Sequence, residues 1–401
     1  MIPINKKIIL GVTGSVSAYK SAELIRLLLK EQFFVQVVMT KSAKEFISPL
    51  TLQALSGNPV LENLWDATEG NGMEHINLSR TSQLILIAPA SANFIAKLAN
   101  GIADDLLSNI CLARTCPLLA APAMNIEMWQ NPATQRNIKT LKKDGGIVIG
   151  PEYGEQACGE IGLGRLINLE SIILQVQKFS SEQIFKDKKI LISLGATSEN
   201  IDPARAITNF SSGKMGINLA KAAFILGAEV TIITGRVDEA IPDVFKSVKV
   251  LNHKEMLATV SRLIDENQIY ISAAAISDYL PSASQKKIKK NSSAISITLK
   301  RSEDILATIA SKKAIFTVGF AAESENLIQN AKEKLTTKKI DLIVANLIQE
   351  TMGQSVAKVT IINKNNEILD IPKGEKKNIA FEIMKQIHFN YSKEVVNEYY
   401  S

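Results

Sequence analysis

The sequence is poor in residues that cross-link chains or ligate metals. Its 401 residues hold three cysteines, Cys111, Cys116 and Cys158, and three histidines, His75, His253 and His388. An odd thiol count without a secretion signal argues against a disulfide framework. Cys111 and Cys116 flank ordinary apolar residues and read as core. The histidines lie far apart in sequence, which speaks against a zinc site. No apolar run reaches the roughly 18 to 20 residues of a membrane span. The apolar stretch in MIPINKKIILGVTGS is too short for a signal peptide and has no small-residue cleavage site. Together these absences lead to the expectation of a cytoplasmic protein with no membrane segment.

Aromatic residues are also scarce, at 5%. This bears on the positive charge, a net +6. The excess is local: Lys286, Lys287, Lys289 and Lys290 cluster in QKKIKKN, and Lys332, Lys334, Lys338 and Lys339 in AKEKLTTKK. Such runs suit nucleic acid, a solvated face or a phosphorylated small substrate. Without interleaved aromatics the nucleic-acid reading weakens, and no nucleic-acid partner is expected.

What the chain has is alternation. Its length allows two domains of about 200 residues each. KKIILGV (6–12), FVQVVMT (34–40), QLILIAP (83–89), PLLAAP (117–122) and GIVIGP (146–151) read as strands. AYKSAELIRLLLK (18–30) carries apolar residues at 24, 25, 27, 28 and 29, a helical spacing. Residues 172–188 read as a helix followed by a polar connector. The pattern then restarts with KKILISLGATSE (188–199), AEVTIITG (228–235), IYISAAA (269–275), AIFTVGFAAE (314–323) and DLIVAN (341–346). Residues 358–372 read as a hairpin turning at Asn365-Asn366, and 375–391 as a helix. Strands alternating with helices imply parallel sheets covered on both faces. The expectation is two tandem α/β domains, each binding a ligand at the C-terminal ends of its strands.

Gly11-Val12-Thr13-Gly14-Ser15 is a glycine-rich strand-to-helix turn, where free N–H groups favour a phosphate. It lacks the G-x-G-x-x-G spacing of dinucleotide sites, and structural glycines in a tight turn explain it equally well. Phe210–Gly216 ends one glycine loop in Gly213-Lys214, but Thr208 stands where a Walker loop needs glycine. A second glycine-rich segment, Gly154–Arg165, has four glycines in twelve residues and holds the lone Cys158. So many glycines suggest a mobile flap.

Read together, several stretches resemble known enzymes. Residues 1–175 resemble the flavin-dependent cysteine decarboxylases through Pro89-Ala90-Ser91-Ala92-Asn93, Pro122-Ala123-Met124-Asn125, His75 in MEHINL and Cys158 in ACGEIGLGR. Residues 188–390 resemble phosphopantothenate–cysteine ligases through ATSENIDPARAITNFSSGKMG, AAAISDY, KIKK, GFAAE and DLIVAN. The order of the halves is similar to that of the bifunctional bacterial enzymes of coenzyme A synthesis. The resemblance implies two tandem Rossmann-like doubly wound domains, the first flavodoxin-like. It implies a decarboxylase domain at 1–178, a linker at 179–188 and a ligase domain at 189–401. It also implies the activity: 4′-phosphopantothenate is coupled to L-cysteine with CTP through an acyl cytidylate, and the product is then decarboxylated with FMN to 4′-phosphopantetheine.

That chemistry gives the residues their implied roles. Oxidation of the cysteine side chain to a thioaldehyde lets sulfur receive the electrons as CO2 leaves. The resulting enethiolate must then be reduced and protonated. A thiol is ordinarily protonated at neutral pH, so Cys158 is the implied acid. His75, ahead of a strand-like INL, is the implied base for the oxidation. Asn125 is the implied ligand of the substrate carboxylate, although capping IEMWQ would also explain it. FMN contacts are expected from Gly14, Ser15, Thr40, Ser91, Asn93 and Met124.

In the second half, Asn209 is the implied ligand of the pantothenate carboxyl and its acyl intermediate, and Ala274 and Ala275 let the substrate approach the strand. Asp278 would bind the cytidine or help hold Mg2+. Lys287 is the implied charge stabiliser, with Lys289 and Lys290 not separable from it by spacing. Asp304, Ile305, Phe320, Lys334 and Lys338 would complete the CTP site. Ser302-Glu303 stands where Asn-Pro is expected before Asp304-Ile305. The resemblance further implies a dodecamer of trimeric flavin units and dimeric ligase units, with flavin sites shared across subunits.

Two other classes are weaker. A nicotinamide oxidoreductase would want G-x-G-x-x-G, or a Tyr-x-x-x-Lys pair at Tyr279, where Ala283 stands. A non-catalytic flavin-binding regulator could dispense with Cys158 or His75, and the chain keeps both.

Overall fold

Strands that are apolar on consecutive residues must be covered on both faces. KKIILGV and LILIAPA are of this kind. A computed structural model of the chain describes residues 6–64, 74–289, 295–312, 315–351 and 354–400, without the side chains of 74, 351 and 395–400. The chain divides into two compact units, Met1–Ser181 and Glu182–Ser401.

The first unit runs β1 (Lys6–Val12), α1 (Lys20–Lys30), β2 (Phe33–Met39), α2 (Pro49–Ser56), α3 (Glu74–Thr81), β3 (Leu84–Ala90), α4 (Ala92–Asn100), α5 (Leu106–Leu112), β4 (Leu118–Pro122), α6 (Ile126–Gln130), α7 (Pro132–Lys143), β5 (Ile147–Val148), β6 (Glu152–Glu155), β7 (Ile161–Arg165) and α8 (Leu169–Phe179). Five strands form one parallel sheet in the order β2-β1-β3-β4-β5. This is the flavodoxin-like order, and the strand sequence reverses direction between β1 and β3. The strand period of two supplies both cores. Ile8, Leu10 and Val12 of β1 enter one buried cluster with Leu84, Leu86 and Ala88 of β3. Ile9 enters the other with Ile85, Ile87 and Ala90. Each large side chain buried in this way contributes about 1.5–3 kcal/mol.

The second unit runs β8 (Lys189–Leu194), β9 (Ser198–Asp202), β10 (Arg205–Thr208), α9 (Lys214–Ile225), β11 (Glu229–Thr234), β12 (Lys246–Lys249), α10 (His253–Leu263), β13 (Ile269–Ser272), β14 (Tyr279–Pro281), β15 (Leu299–Arg301), α11 (Ile305–Ala310), β16 (Phe316–Glu323), α12 (Leu327–Lys338), β17 (Leu342–Leu347), α13 (Ile348–Thr351), β18 (Val356–Asn363), β19 (Ile368–Glu375) and α14 (Lys376–Tyr400). Its main sheet has the order β12-β11-β8-β13-β16-β17-β18-β19. The first six strands are parallel and reverse direction between β8 and β13, a Rossmann-like winding. β18 and β19 extend the sheet antiparallel. Their turn passes through Asn366, which has φ of +62°, a conformation asparagine tolerates.

Three local expectations change. INL does not open a strand: His75, Ile76, Asn77 and Leu78 lie in α3, where the hydroxyls of Ser79 and Thr81 donate to the carbonyls of Ile76 and Asn77. Three residues of alternation are too few to separate the strand period from the helical one. GIVIGP yields only the two-residue β5. Part of the expected connector folds into the second unit, because Phe185 is fully buried and donates its N–H to the Leu226 carbonyl at 2.9 Å. No helix among the described residues is long and apolar enough to cross a membrane.

Candidate functional site

The loops that follow β1, β3 and β4 are stitched together at the reversal point of the first sheet. The Thr13 hydroxyl donates to the Pro89 carbonyl at 2.8 Å and accepts the Ser91 N–H at 2.9 Å. Ser15 donates to the Ala123 carbonyl at 3.3 Å, and the Ala123 N–H donates to the Ala90 carbonyl at 3.1 Å. Thr40 is held at the end of β2 by its N–H on the Val12 carbonyl at 3.1 Å. Gly14, Ser15, Ser91 and the Pro122–Asn125 loop are thereby fixed to one cradle. Gly14 packs on Ser42, and a Cβ there would come within 2.6 Å of the Ser42 Cβ. Ser91 caps α4, and Asn93 lies exposed in the first turn of that helix. Among the described residues, no acceptor meets the N–H groups of Gly14 and Ser15. Unmatched amides ahead of a helix suit a phosphate group, so the cradle fits the expected FMN.

Asn125 and Cys158 are 33 residues apart in sequence and meet beside this cradle. The Asn125 Oδ1 accepts the Glu127 N–H at 2.8 Å, capping α6. That bond turns its Nδ2 toward three residues of the β6–β7 turn: Gln156 Oε1 and Cys158 Sγ, each at 3.5 Å, and Glu160 Oε2, which accepts a shorter hydrogen bond. The Cys158 thiol in turn donates to Glu160 Oε2 at 3.4 Å. Gln156 Oε1 also accepts the Ile126 N–H at 3.0 Å. Capping and a role at Cys158 are therefore compatible for Asn125, because they use opposite ends of its amide.

The glycines of this segment have a different reason from mobility. β6 and β7 form an antiparallel hairpin. A Cβ at Gly162 would fall 2.0 Å from Ile126 Cδ1, and one at Gly164 would fall 2.3 Å from the Met124 carbonyl oxygen. Gly164 also has φ of +143° and accepts the Met124 N–H at 2.9 Å. The hairpin is thus seated directly on α6 and on Met124, which itself packs against the core. His75 sits half-buried on α3, a helix that packs on α5. Among the described residues, no hydrogen bond joins it to Asn125 or Cys158.

In the second unit the loops after β8 and β13 are likewise laced. Ala275 donates its N–H to the Gly195 carbonyl at 2.8 Å and accepts the Thr197 N–H at 3.2 Å. Ala274 is half-buried against the core. Asn209, one residue beyond β10, donates Nδ2–H to the Ala275 carbonyl at 3.1 Å. The second N–H of that amide is available to a ligand. Asp278 is exposed, and its carbonyl accepts the Ser302 N–H at 2.9 Å. The Ser302 hydroxyl adds a bond to the Ser277 carbonyl at 2.9 Å, and the Glu303 carbonyl meets His253 Nε2 at 2.7 Å. The Ser302-Glu303 departure thus still anchors the loop that leads to Asp304.

Asp304 caps α11 ahead of Ile305 and pairs with Lys338 at 2.9 Å. Burial pushes its carboxyl up, but the Ala307 N–H and the Lys338 ammonium outweigh this and hold it below the usual range. Lys334 pairs with Glu323 at 2.6 Å, while Phe320 is half-buried on β16. The structure therefore joins Asp304 to Lys338, but commits Lys334 to Glu323. Lys287 is exposed. Its neighbour Ile288 donates its N–H to Asp202 Oδ2 at 3.1 Å. The Asp202 side chain is fully buried, accepts the Ala204 N–H at 2.7 Å and lies 3.5 Å from Arg205. The Ala204 N–H leads the groups that hold its carboxyl below the ordinary value. Its anchoring contribution is therefore full above the ordinary carboxylate pKa and is lost as pH falls through the lowered one. Lys290 lies outside the described residues.

Sequence reading missed Gln156, Glu160, Thr13 and Asp202. Gln156 and Glu160 flank Cys158 in sequence, and polar side chains so close to a candidate acid were a usable signal. Thr13 and Asp202 act through tertiary contacts and left none. Cys111 is fully buried, and burial pushes its thiol well up; the half-buried Cys116 is pushed up for the same reason. Among the described residues, no group of three or more histidine, cysteine or acidic side chains could hold a metal ion. A magnesium ion carried on nucleotide phosphates needs only one or two carboxylates.

The family model described as DNA/pantothenate metabolism flavoprotein C-terminal domain matches residues 185–390, and the one described as flavoprotein matches residues 4–181. The coenzyme A biosynthesis bifunctional protein CoaBC of Vibrio vulnificus (strain YJ016) is 42% identical over 390 residues, covering 95% of this chain and 97% of that protein. The protein of the same name from Borreliella burgdorferi is 42% identical over 390 residues, covering 96% and 99%. That from Haemophilus influenzae is 45% identical over 345 residues, covering 85% and 86%. Among solved structures, the C-terminal domain of a coenzyme A biosynthesis bifunctional protein CoaBC is 35% identical with a TM-score of 0.47, covering 53% of this chain and 100% of that one. The FMN-dependent cysteine decarboxylase SpaF is 34% identical with a TM-score of 0.38, covering 42% and 93%.

Proposed function

The chain belongs to the family of coenzyme A biosynthesis bifunctional proteins, and from that membership we propose how its two activities divide between its residues. The chain is both a phosphopantothenate–cysteine ligase and a phosphopantothenoylcysteine decarboxylase. Residues 189–401 carry the CTP-dependent coupling through an acyl cytidylate, residues 1–178 carry the FMN-dependent decarboxylation, and 179–188 connect them.

FMN, when bound, supplies the two-electron redox chemistry that the cysteine side chain needs before its carboxylate can leave. Gly14, Ser15, Thr40, Ser91, Asn93 and Met124 would hold it. Asn125 grips the substrate carboxylate through its Nδ2 end and orients the departing CO2. Cys158 delivers the proton that completes the product. His75 assists the first oxidation as base, and the flavin site is completed across a subunit boundary in a trimer. In the ligase, Asn209 binds the pantothenate carboxyl, with Ala274 and Ala275 beside it. Lys287 neutralises charge developing in the transition state. Asp278 meets the cytidine or Mg2+, and Asp304, Ile305, Phe320, Lys334 and Lys338 bind CTP. Ligase dimers and decarboxylase trimers together build a dodecamer in the cytoplasm.

The observation that carries this reading is the meeting of Asn125 with Cys158 at the reversal point of the first sheet. Its test is an incubation of pure protein with 4′-phosphopantothenate, cysteine, CTP and Mg2+. Mass analysis is expected to find 4′-phosphopantetheine, and the protein to be yellow with a flavin spectrum released on denaturation. Colourless protein that retains no added FMN would refute the decarboxylase assignment. Comparable coupling with ATP would refute the nucleotide assignment.

The buried Asp202 supports placing the charge stabiliser in the Lys287–Lys289 segment. It holds the adjacent Ile288 from the same β9–β10 hairpin that leads into Asn209. Asp202→Ala is expected to lower the kcat of coupling roughly 10- to 100-fold, the scale of a misplaced catalytic group, and Asp202→Asn to recover part of the loss. Decarboxylation of supplied substrate by the same preparations should stay unchanged. Coupling kinetics at the wild-type level in Asp202→Ala would remove this support.

A further inference from the structure

We propose that Glu160 occupies the substrate-carboxylate position at Asn125 until substrate displaces it, and that this exchange makes the decarboxylase site distinguish substrate from product. The inference rests on the reading of Asn125 as the carboxylate ligand.

The geometry leaves Asn125 one way to meet an anion. Its Oδ1 is committed to the Glu127 N–H at 2.8 Å, so only the Nδ2 end faces the hairpin. The charged acceptor there is Glu160 Oε2, in preference to the neutral Gln156 and Cys158 at 3.5 Å, as expected when a carboxylate competes with neutral groups. The backbone of Glu160 is fixed, because its carbonyl accepts the Gln156 N–H at 2.8 Å and Gln156 is itself tied to Ile126. Its side chain is exposed and can swing about a held main chain.

A substrate carboxylate arriving at Nδ2 meets this resident one. Two carboxylates at one amide repel, so the incomer displaces Glu160. The same oxygen, Oε2, also accepts the Cys158 thiol at 3.4 Å. Displacement therefore releases the thiol from Glu160 at the moment substrate is bound. Once CO2 has left, the product has no carboxylate with which to oppose the return of Glu160. The returning side chain then refills a position that product does not contest, so Glu160 opposes the binding of substrate and not that of product. Glu160 is in this sense a positioning residue: it acts through Asn125 and Cys158 and on the balance of two ligands.

The test compares the flavin-loaded full chain with its Glu160→Gln, Glu160→Asp and Asn125→Ala variants. Two constants are measured for each: KM for 4′-phosphopantothenoylcysteine, and the inhibition constant of 4′-phosphopantetheine. Glu160→Gln keeps the shape and removes the charge. It is expected to lower the substrate KM roughly 2- to 5-fold, the scale of one exposed charge contact, with the product constant unmoved. Glu160→Asp keeps the charge and is expected to retain the wild-type ratio of the two constants. Flavin content of each variant reports whether the domain has folded. If Glu160→Gln shifts both constants together, or weakens substrate, the proposal falls. If Asn125→Ala leaves substrate KM and turnover intact, the underlying carboxylate assignment falls instead.

Discussion

Cys158→Ser is expected to keep releasing CO2 from 4′-phosphopantothenoylcysteine while its yield of 4′-phosphopantetheine drops about 100-fold or more, the scale of a lost general acid. The separation follows from the order of the chemistry. The carboxylate leaves once the side chain has been oxidised, a stage that needs the cradle and Asn125 but no acid from the hairpin. Protonation comes last. Serine fits where cysteine stood and can keep a hydrogen bond to Glu160, but a hydroxyl gives up its proton far less readily than a thiol. The product should therefore stall as an unsaturated thiol lacking one hydride and one proton. Mass analysis distinguishes it from 4′-phosphopantetheine, and trapped CO2 counts the first stage. A normal yield of reduced product would remove Cys158 from the acid role.

Lys287→Gln is expected to reduce coupling of 4′-phosphopantothenate with cysteine by about 100-fold or more, as removal of a transition-state donor does. Glutamine keeps much of the reach and the hydrogen-bonding capacity, and loses the charge that the pentavalent phosphorus and acyl oxygen call for. The same preparation should decarboxylate supplied 4′-phosphopantothenoylcysteine at the wild-type rate, since that activity belongs to the other unit. Parallel measurement of Lys289→Gln and Lys290→Gln separates the three candidates that spacing leaves equivalent. Normal coupling in Lys287→Gln with failure in Lys289→Gln would move the assignment two residues along.

The sheet pattern was open to sequence reading because buried parallel strands are continuous apolar runs. KKIILGV, LILIAPA and KILISL could hardly be anything else, and their alternation with helices dictated the winding. The site was legible in part. Asn125 and Cys158 stood in recognisable motifs, and the structure joins them, but nothing in one dimension announced that Glu160 would sit between them. Glycines misled in one respect. Their number in Gly154–Arg165 suggested looseness, whereas Gly162 leaves room for the Ile126 side chain and Gly164 for the Met124 main chain. INL misled because three residues satisfy two periods at once. Asp202 was invisible: its partner Ile288 lies 86 residues away, and a lone aspartate gives no sign of such a distant contact.

The β9–β10 hairpin has a bearing on how such enzymes can be recombined. One face of this small ribbon leads into Asn209, and its corner grips the segment before Lys289 through a carboxylate sealed from water. Transplanting residues 198–209 from a relative without 284–288 would take the Ile288 N–H from that buried anion and leave it only Ala204 and Arg205 of its own hairpin, a loss that costs stability when the group is buried. The two stretches are therefore one inheritable cassette, and chimaeras of this ligase should be cut outside both.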